Sequence, residues 1–234
     1  LRCAWAGSQK YGALVWSGDI KSSFPSMKNQ VAAGLNMGIA GIPWWTTDIG
    51  GFFGANINDP EFHELLVRWF EYGCFCPVMR LHGYRWPLQP QYGTTGGATC
   101  VSGAPNEVWS YTDQVCEILS DYLRLRERML PYITELMEEA HEKGTPVMRP
   151  LFYDFPEDKE SWNVETEYMF GPKVLVKPIT DADARETDVY LPGGASWTNA
   201  WTGETFEGGQ KVHVAAPIEQ IPLFTRDGYK LPMK

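Results

Sequence analysis

The chain of 234 residues carries 29 acidic against 20 basic side chains, a formal net charge of −9, with 44% hydrophobic and 21% charged residues. No Lys/Arg cluster interrupts that acidity, which argues against nucleic acid and against an anionic membrane as partners. No stretch approaches the roughly 20 apolar residues of a membrane span. These residues show no signal-peptide pattern, which says little, because the start at Leu1-Arg2-Cys3, without methionine, reads as a piece of something longer.

In chain order, Tyr11–Trp16 predicts a short buried strand, followed by the tetrapeptide WSGD at 16–19. Residues 23–38 predict a helix, with Ser23 near its cap and Pro25 in its first turn. Ile39–Trp45 reads as a second buried strand. Asp59-Pro60-Glu61 opens a helix to about Phe75, Asp59 capping it and Pro60 at its first position. Val78–Leu81 reads as a third strand, and a Gly/Pro/Thr-rich loop runs from Gly83 to Pro105. A helical stretch over 108–143 is interrupted at Pro131 and ends at Lys143-Gly144. Three strand-then-helix units resemble part of an α/β barrel, whose catalytic groups sit at the C-terminal ends of its strands. Asp19, Asp48 and His82 each stand at such an end.

After Pro146 the texture changes. Short β-type runs alternate with Gly, Pro and Asp turns, no helix is evident, and an antiparallel β-sandwich is expected. The expected division is 1–145 and 146–234. There are no internal repeats.

Five cysteines without a Cys-x-x-Cys pair, and four scattered histidines, give no metal site. The cysteines read as mostly buried small apolar residues. A Cys100–Cys116 bridge has no support in the spacing, which leaves the redox compartment open. No cofactor is expected. Aromatic content of 14%, with ten tryptophans, tilts toward sugar, because pyranose rings stack their C–H faces on aromatic rings.

An ordered set of motifs then lines up: Arg2 with Gly7-Ser8-Gln9, WSGD (16–19), PWWTTDIGGF (43–52), RW (68–69), RLHG (80–83), PVMRPLFYDFPED (146–158) and PLFTRDG (222–228). This resembles glycoside hydrolase family 31, the retaining α-glucosidase and α-xylosidase family, over essentially the whole chain. The resemblance implies the C-terminal part of a TIM (β/α)8 barrel and the proximal β-sandwich behind it. It makes Asp19 the general acid/base, Arg2 and His82 hydrogen-bonding partners of the sugar, Asp48 an acid lining its subsite, and Trp16 and Phe52 the aromatic walls. It departs in two respects, of which one residue inserted between Arg2 and Asp19 is the smaller. The family's nucleophile, an aspartate in a Trp-x-Asp-Met-Asn-Glu-like motif on an earlier strand, has no counterpart here, so an upstream part of the same polypeptide is expected to supply it.

Retaining glycosidases need two carboxyls about 5–5.5 Å apart, one attacking the anomeric carbon and one handling the proton. An acid that must deliver a proton near neutral pH needs an apolar neighbour or a nearby negative charge. Trp16 and the upstream nucleophile are expected to serve Asp19 in those ways. Against these roles stand ordinary ones: Asp19 and Asp48 as turn residues, His82 as a satisfied core histidine. Arg80 is expected to orient carboxylates, Glu135–Glu142 to form a solvated helix face, and Trp197 and Trp201 to fill a hairpin core. The expected activity is α-xylosidase on xyloglucan-type oligosaccharides. The alternatives are an α-glucosidase of the same family and a non-catalytic carbohydrate-binding remnant. Homo-oligomerisation and localisation are left open.

Overall fold

The computed structural model describes residues 1–233. β1 (Val15–Trp16) and β2 (Trp45–Thr46) pair in parallel, Val15 opposite Trp45. Between them runs α1 (Phe24–Ile39), entered as its sequence dictates. The Ser23 side chain accepts the Ser26 N–H, and Pro25 lies in the first turn, where no N–H is needed. Met27, Val31 and Leu35, four residues apart, bury one face of α1. The strand expected from Ile39 begins only at Trp45. The helix keeps Ile39, and the N–H groups of Ala40 and Ile42 bond back to Asn36 and Met37 carbonyls, so this apolar run closes the helix instead of joining the sheet.

β3 (Ala55–Asn56) precedes α2 (Pro60–Cys74). The Asp59 carboxylate accepts the Glu61 N–H at 3.0 Å and Pro60 takes the first position, as expected. Leu66, Trp69, Phe70 and Tyr72 on α2 are at most 1% exposed. Val78–Leu81, expected as a strand, runs extended and parallel beside β2 but forms no regular ladder. Val78 donates to the Trp45 carbonyl at 3.1 Å, Ile49 donates to the Arg80 carbonyl at 3.3 Å, and a single bridge joins Ile49 and Leu81. Pro77, which has no N–H, prevents the ladder from extending backwards.

β4 (Arg85–Trp86) pairs in parallel with β3, and the long loop after it folds back on itself through a Gln89–Ser102 bridge. The helical stretch splits into α3 (Asp113–Arg128) and α4 (Leu130–Lys143). The break falls at Met129, because a proline at position 131 sits in the first turn of α4 and costs no hydrogen bond there.

β5 (Met148–Pro150) is followed by a short helix, α5 (Leu151–Asp154), which the sequence reading did not expect. The fully buried Leu151 anchors that turn between two strands. Then come β6 (Tyr168–Phe170), β7 (Val174–Val176), β8 (Glu186–Leu191), β9 (Ser196–Asn199), β10 (Thr205–Glu207), β11 (Gln210–Ala215) and β12 (Leu223–Arg226). Six of the strands form one antiparallel sheet in the order β10-β9-β12-β7-β6-β5, and β8 and β11 form a separate antiparallel ribbon. Strand alternation divides the core in two. Tyr168, Phe170, Val174 and Val176 belong to the cluster built by α1–α4. Met169 and Leu175 face a second cluster with Val189, Leu191, Val212, Val214, Trp197 and Phe224. Each such side chain is worth roughly 1.5–3 kcal/mol of burial.

Trp197 is fully buried, as expected for a core tryptophan, and Trp201 packs half-buried against the first cluster. In α4, Leu136 and Ala140 are buried, while Glu135, Glu138 and Glu142 face solvent and Glu139 pairs with Arg149 at 3.3 Å. The cysteines depart from expectation. All five are free, and only Cys74 and Cys76, at the end of α2, are buried. Cys3 and Cys100 are exposed, because they lie in segments that no element covers. Burial pushes the Cys74 and Cys76 thiols up to about 12, which leaves them unreactive. No helix among the described residues is long and apolar enough to cross a membrane.

Candidate active site

β1, β2 and the segment 78–82 run in one direction, so the loops that leave them meet at one end. Backbone bonds lace these loops together. Ser22 donates to the Phe53 carbonyl at 2.8 Å, Phe52 to Ile20 at 2.7 Å, and Tyr84 to Phe52 at 2.6 Å. Gly51 makes the approach possible: with φ at +75°, an added Cβ would stand 2.6 Å from the Ser22 Cα. The side chains predicted from three separate motifs are thereby brought together.

Asp48 lies deepest. It is fully buried, its N–H donates to the Ser17 hydroxyl at 3.3 Å, and Arg80 Nη2 stands 3.2 Å from its Oδ1. That guanidinium is off the line of a hydrogen bond, and neither carboxylate oxygen has a hydrogen-bond donor among the described residues. Burial raises the pKa of Asp48 above the usual carboxylate range. The Arg80 and His82 charges pull it back, Asp19 pushes it further up, and the nearby Trp16 indole pulls it down. The Trp16 N–H is itself without a hydrogen-bond partner. Buried polar groups left unpaired inside a protein are uncommon and costly, and they concentrate where a ligand is to be met.

The rim is built from the other expected residues. The Phe52 and His82 rings lie 5.5 Å apart at 32°. Arg2 reaches the Asp19 carboxylate at 3.4 Å, and its guanidinium carbon sits 5.3 Å from the centre of the Trp16 ring. Side-chain exposures of 75% for Arg2 and 43% for Asp19 make this pair a weak contributor to stability. Trp16 was expected to shield Asp19 from water. In the structure its ring carries the Arg2 guanidinium, and the shielded carboxylate is Asp48. Arg80 holds the orienting position expected of it. Among the described residues no three His, Cys, Asp or Glu side chains gather as a metal site.

Two residues escaped the sequence reading. Ser17 holds the backbone of Asp48. Arg85, fully buried behind the site, donates to the carbonyls of Gly51 and Ile49 at 2.7 and 3.0 Å. The glycines at 50, 51 and 83 were a usable signal, since glycine at a strand end often makes room for a close backbone approach.

Comparison with known proteins follows the same order along the chain. The model described as "Glycosyl hydrolases family 31 TIM-barrel domain" matches residues 1–136, and the "Glycosyl hydrolase family 31 C-terminal domain" matches residues 144–231. The chain belongs to glycoside hydrolase family 31. A crystal structure of a family 31 α-xylosidase from a soil metagenome, complexed with xylose, is 55% identical with a TM-score of 0.94 over 99% of this chain and 34% of that one. An α-xylosidase of Saccharolobus solfataricus is 39% identical over 99% of this chain and 29% of its own length. An α-glucosidase of Bacillus thermoamyloliquefaciens is 35% identical over 97% of this chain and 26% of its own length. The chain thus spans about a third or less of the relatives it matches.

Proposed function

We propose that the complete polypeptide carrying these residues is a retaining α-glycosidase, an α-xylosidase that removes terminal α-xylosyl residues by double displacement. The observation that carries this reading is the buried Asp48 carboxylate, without hydrogen-bond donors on either oxygen, set among Arg80, His82 and Trp16 below the exposed Asp19. Such a carboxylate is prepared to accept hydroxyls, and the aromatic rings of Trp16 and Phe52 suit the faces of a pyranose.

In this reading Asp19 protonates the departing glycosidic oxygen while a second carboxylate attacks the anomeric carbon. Asp19 then takes a proton from the water that releases the sugar. The second carboxylate belongs to an earlier part of the polypeptide, consistent with the greater length of the relatives. Asp48 and His82 hold sugar hydroxyls, with Arg2 beside Asp19 at the mouth. Residues 1–145 form the C-terminal part of the (β/α)8 barrel, supported by the parallel pairs β1–β2 and β3–β4 with intervening helices. Residues 146–234 form the proximal β-sandwich, supported by the ribbon β8–β11 that shares a core with the six-stranded sheet.

The xyloside preference rests on the α-xylosidases at 55% and 39% identity. An α-glucosidase is the second reading, favoured by the 35% identical relative of that activity. The mechanistic test is Asp19→Ala in the complete protein. We expect its turnover of an aryl α-xyloside with a poor leaving group to fall at least a hundredfold, with azide restoring turnover of an activated one as a glycosyl azide. Unchanged cleavage and no azide adduct would remove Asp19 from the acid/base role.

A further inference from the structure

We propose that Arg85 is a positioning residue of this site, a single buried guanidinium that sets the spacing of the three loops carrying Asp19, Asp48 with Phe52, and His82. The inference rests on the glycosidase reading above and concerns a residue which that reading does not use.

A guanidinium has five N–H donors in a fixed planar fork. Arg85 uses all five. Nη1 donates to the Gly51 carbonyl at 2.7 Å and to the Ser22 hydroxyl at 3.4 Å. Nη2 donates to the Ile49 carbonyl at 3.0 Å and to the His82 carbonyl at 3.4 Å, and Nε donates to the Asn106 amide oxygen at 3.1 Å. These acceptors matter for where they stand. Ile49 follows Asp48, Gly51 precedes Phe52, Ser22 closes the loop that begins with Asp19, and the last carbonyl belongs to His82 itself. The fork therefore measures one site loop against another.

The surroundings are shaped for this group. A Cβ on Gly83 would come within 2.3 Å of the guanidinium carbon, one on Gly50 within 2.9 Å of Nη2, and one on Gly103 within 2.9 Å of the Arg85 backbone nitrogen. The Phe62 ring on α2 supports the guanidinium at 4.9 Å. No carboxylate among the described residues pairs with Arg85 directly. Burial works against its charge and lowers its pKa, against which the neighbouring Tyr111 hydroxyl and, to a lesser degree, the Asp48 charge act. A buried cation held only by carbonyls, a hydroxyl and an amide oxygen is costly as scaffolding alone. Lysine cannot replace it, because a single ammonium cannot reach five acceptors spread in a plane.

The test uses the complete protein with Arg85→Lys and Arg85→Gln. Competent sites are counted with a fluorinated glycosyl fluoride that traps the covalent glycosyl-enzyme, so that misfolded molecules do not enter kcat. We expect Arg85→Lys to lose at least tenfold in kcat per titrated site on an aryl α-xyloside, with KM changed less than threefold. Wild-type kcat and KM per site in a folded Arg85→Lys would overturn the proposal. If neither Arg85 variant folds, Ser22→Ala and Asn106→Ala each remove one acceptor. They are expected to lower kcat per site about threefold, and wild-type values in both would overturn the proposal equally. A wild-type protein that cleaves no glycoside but quenches its tryptophan fluorescence with xylose sinks only the glycosidase reading. The role of Arg85 is then read as at least a tenfold loss of xylose affinity in Arg85→Lys, and unchanged affinity would overturn it. A wild type that neither cleaves nor binds overturns both.

Discussion

Under the proposed function, Asp48 is a residue that gives up stability for substrate binding. Burying an ionised carboxylate without donors on its oxygens costs free energy that a lone, partly exposed Arg80 does not fully return. Asp48→Asn keeps the shape and removes the buried charge. We expect the variant to melt at the same temperature or higher while its kcat/KM on an aryl α-xyloside falls at least a hundredfold, about 2.7 kcal/mol of transition-state binding. Calorimetry and steady-state kinetics on the same preparation check both halves. An active, less stable variant would mean that Asp48 is structural. The sequence disclosed this residue mainly through the family motif around it, and in lesser part through its place at the end of an expected strand. It did not disclose Arg85, whose partners are mostly backbone carbonyls. Carbonyls belong to every residue and leave no mark in a sequence, whereas a carboxylate does. Nor did it show that Trp16 would sit under Arg2, since a side chain's direction depends on the loop that carries it.

At the scale of elements, caps were legible and strand limits were not. Ser23 and Asp59 begin α1 and α2 where their side chains predict, because a cap is a local hydrogen bond. The strand ends depended on which neighbour was available, so Ile39 went to a helix and Val78–Leu81 to a single bridge. α2 carries a feature the sequence could not reveal. Glu71 is fully buried, accepting from Arg68 Nη1 at 3.1 Å and from the Tyr122 hydroxyl at 3.1 Å. Arg68 is also held by the carbonyls of Ala184, Ala216, Pro217 and Gln220, at 2.7–3.4 Å. With its cation so well supplied with acceptors, burial dominates and pushes the Glu71 carboxyl from 4.5 up to about 8. The folded chain then keeps a proton that the unfolded chain has lost. The Glu71 contribution to stability is therefore full below about pH 4.5 and is lost as pH rises toward about 8. The slope is at most about 1.4 kcal/mol per pH unit. Glu71→Gln, which mimics the protonated form, is expected to flatten the fall of melting temperature between pH 5 and 8. An identical pH profile in both proteins would show that Glu71 is ionised throughout.

For the whole molecule, the change of texture near Gly144 marked where the sheet begins, but not how firmly it is joined to what precedes it. Tyr168 in β6 donates to the Phe75 carbonyl at 3.0 Å, and Tyr132 in α4 donates to Phe170 at 2.9 Å. Arg68 in α2 crosses to residues 184–220. One hydrophobic cluster contains side chains from both parts. Such a seam resembles a core more than a contact between independent domains. We expect residues 1–145 and 146–234 of the complete protein to unfold in one transition by hydrogen exchange, with matched protection in α2 and β6. Independent exchange of the sheet would contradict that seam.

The central claim, a xyloside-cleaving site completed by an earlier carboxylate, is tested most directly by rates. Aryl α-D-xyloside and aryl α-D-glucoside should be offered side by side to the complete protein. The account predicts xyloside turnover with kcat/KM at least tenfold above that for the glucoside. Preferred glucoside turnover would contradict the substrate assignment while leaving the site in place, and no turnover of either would contradict the claim itself.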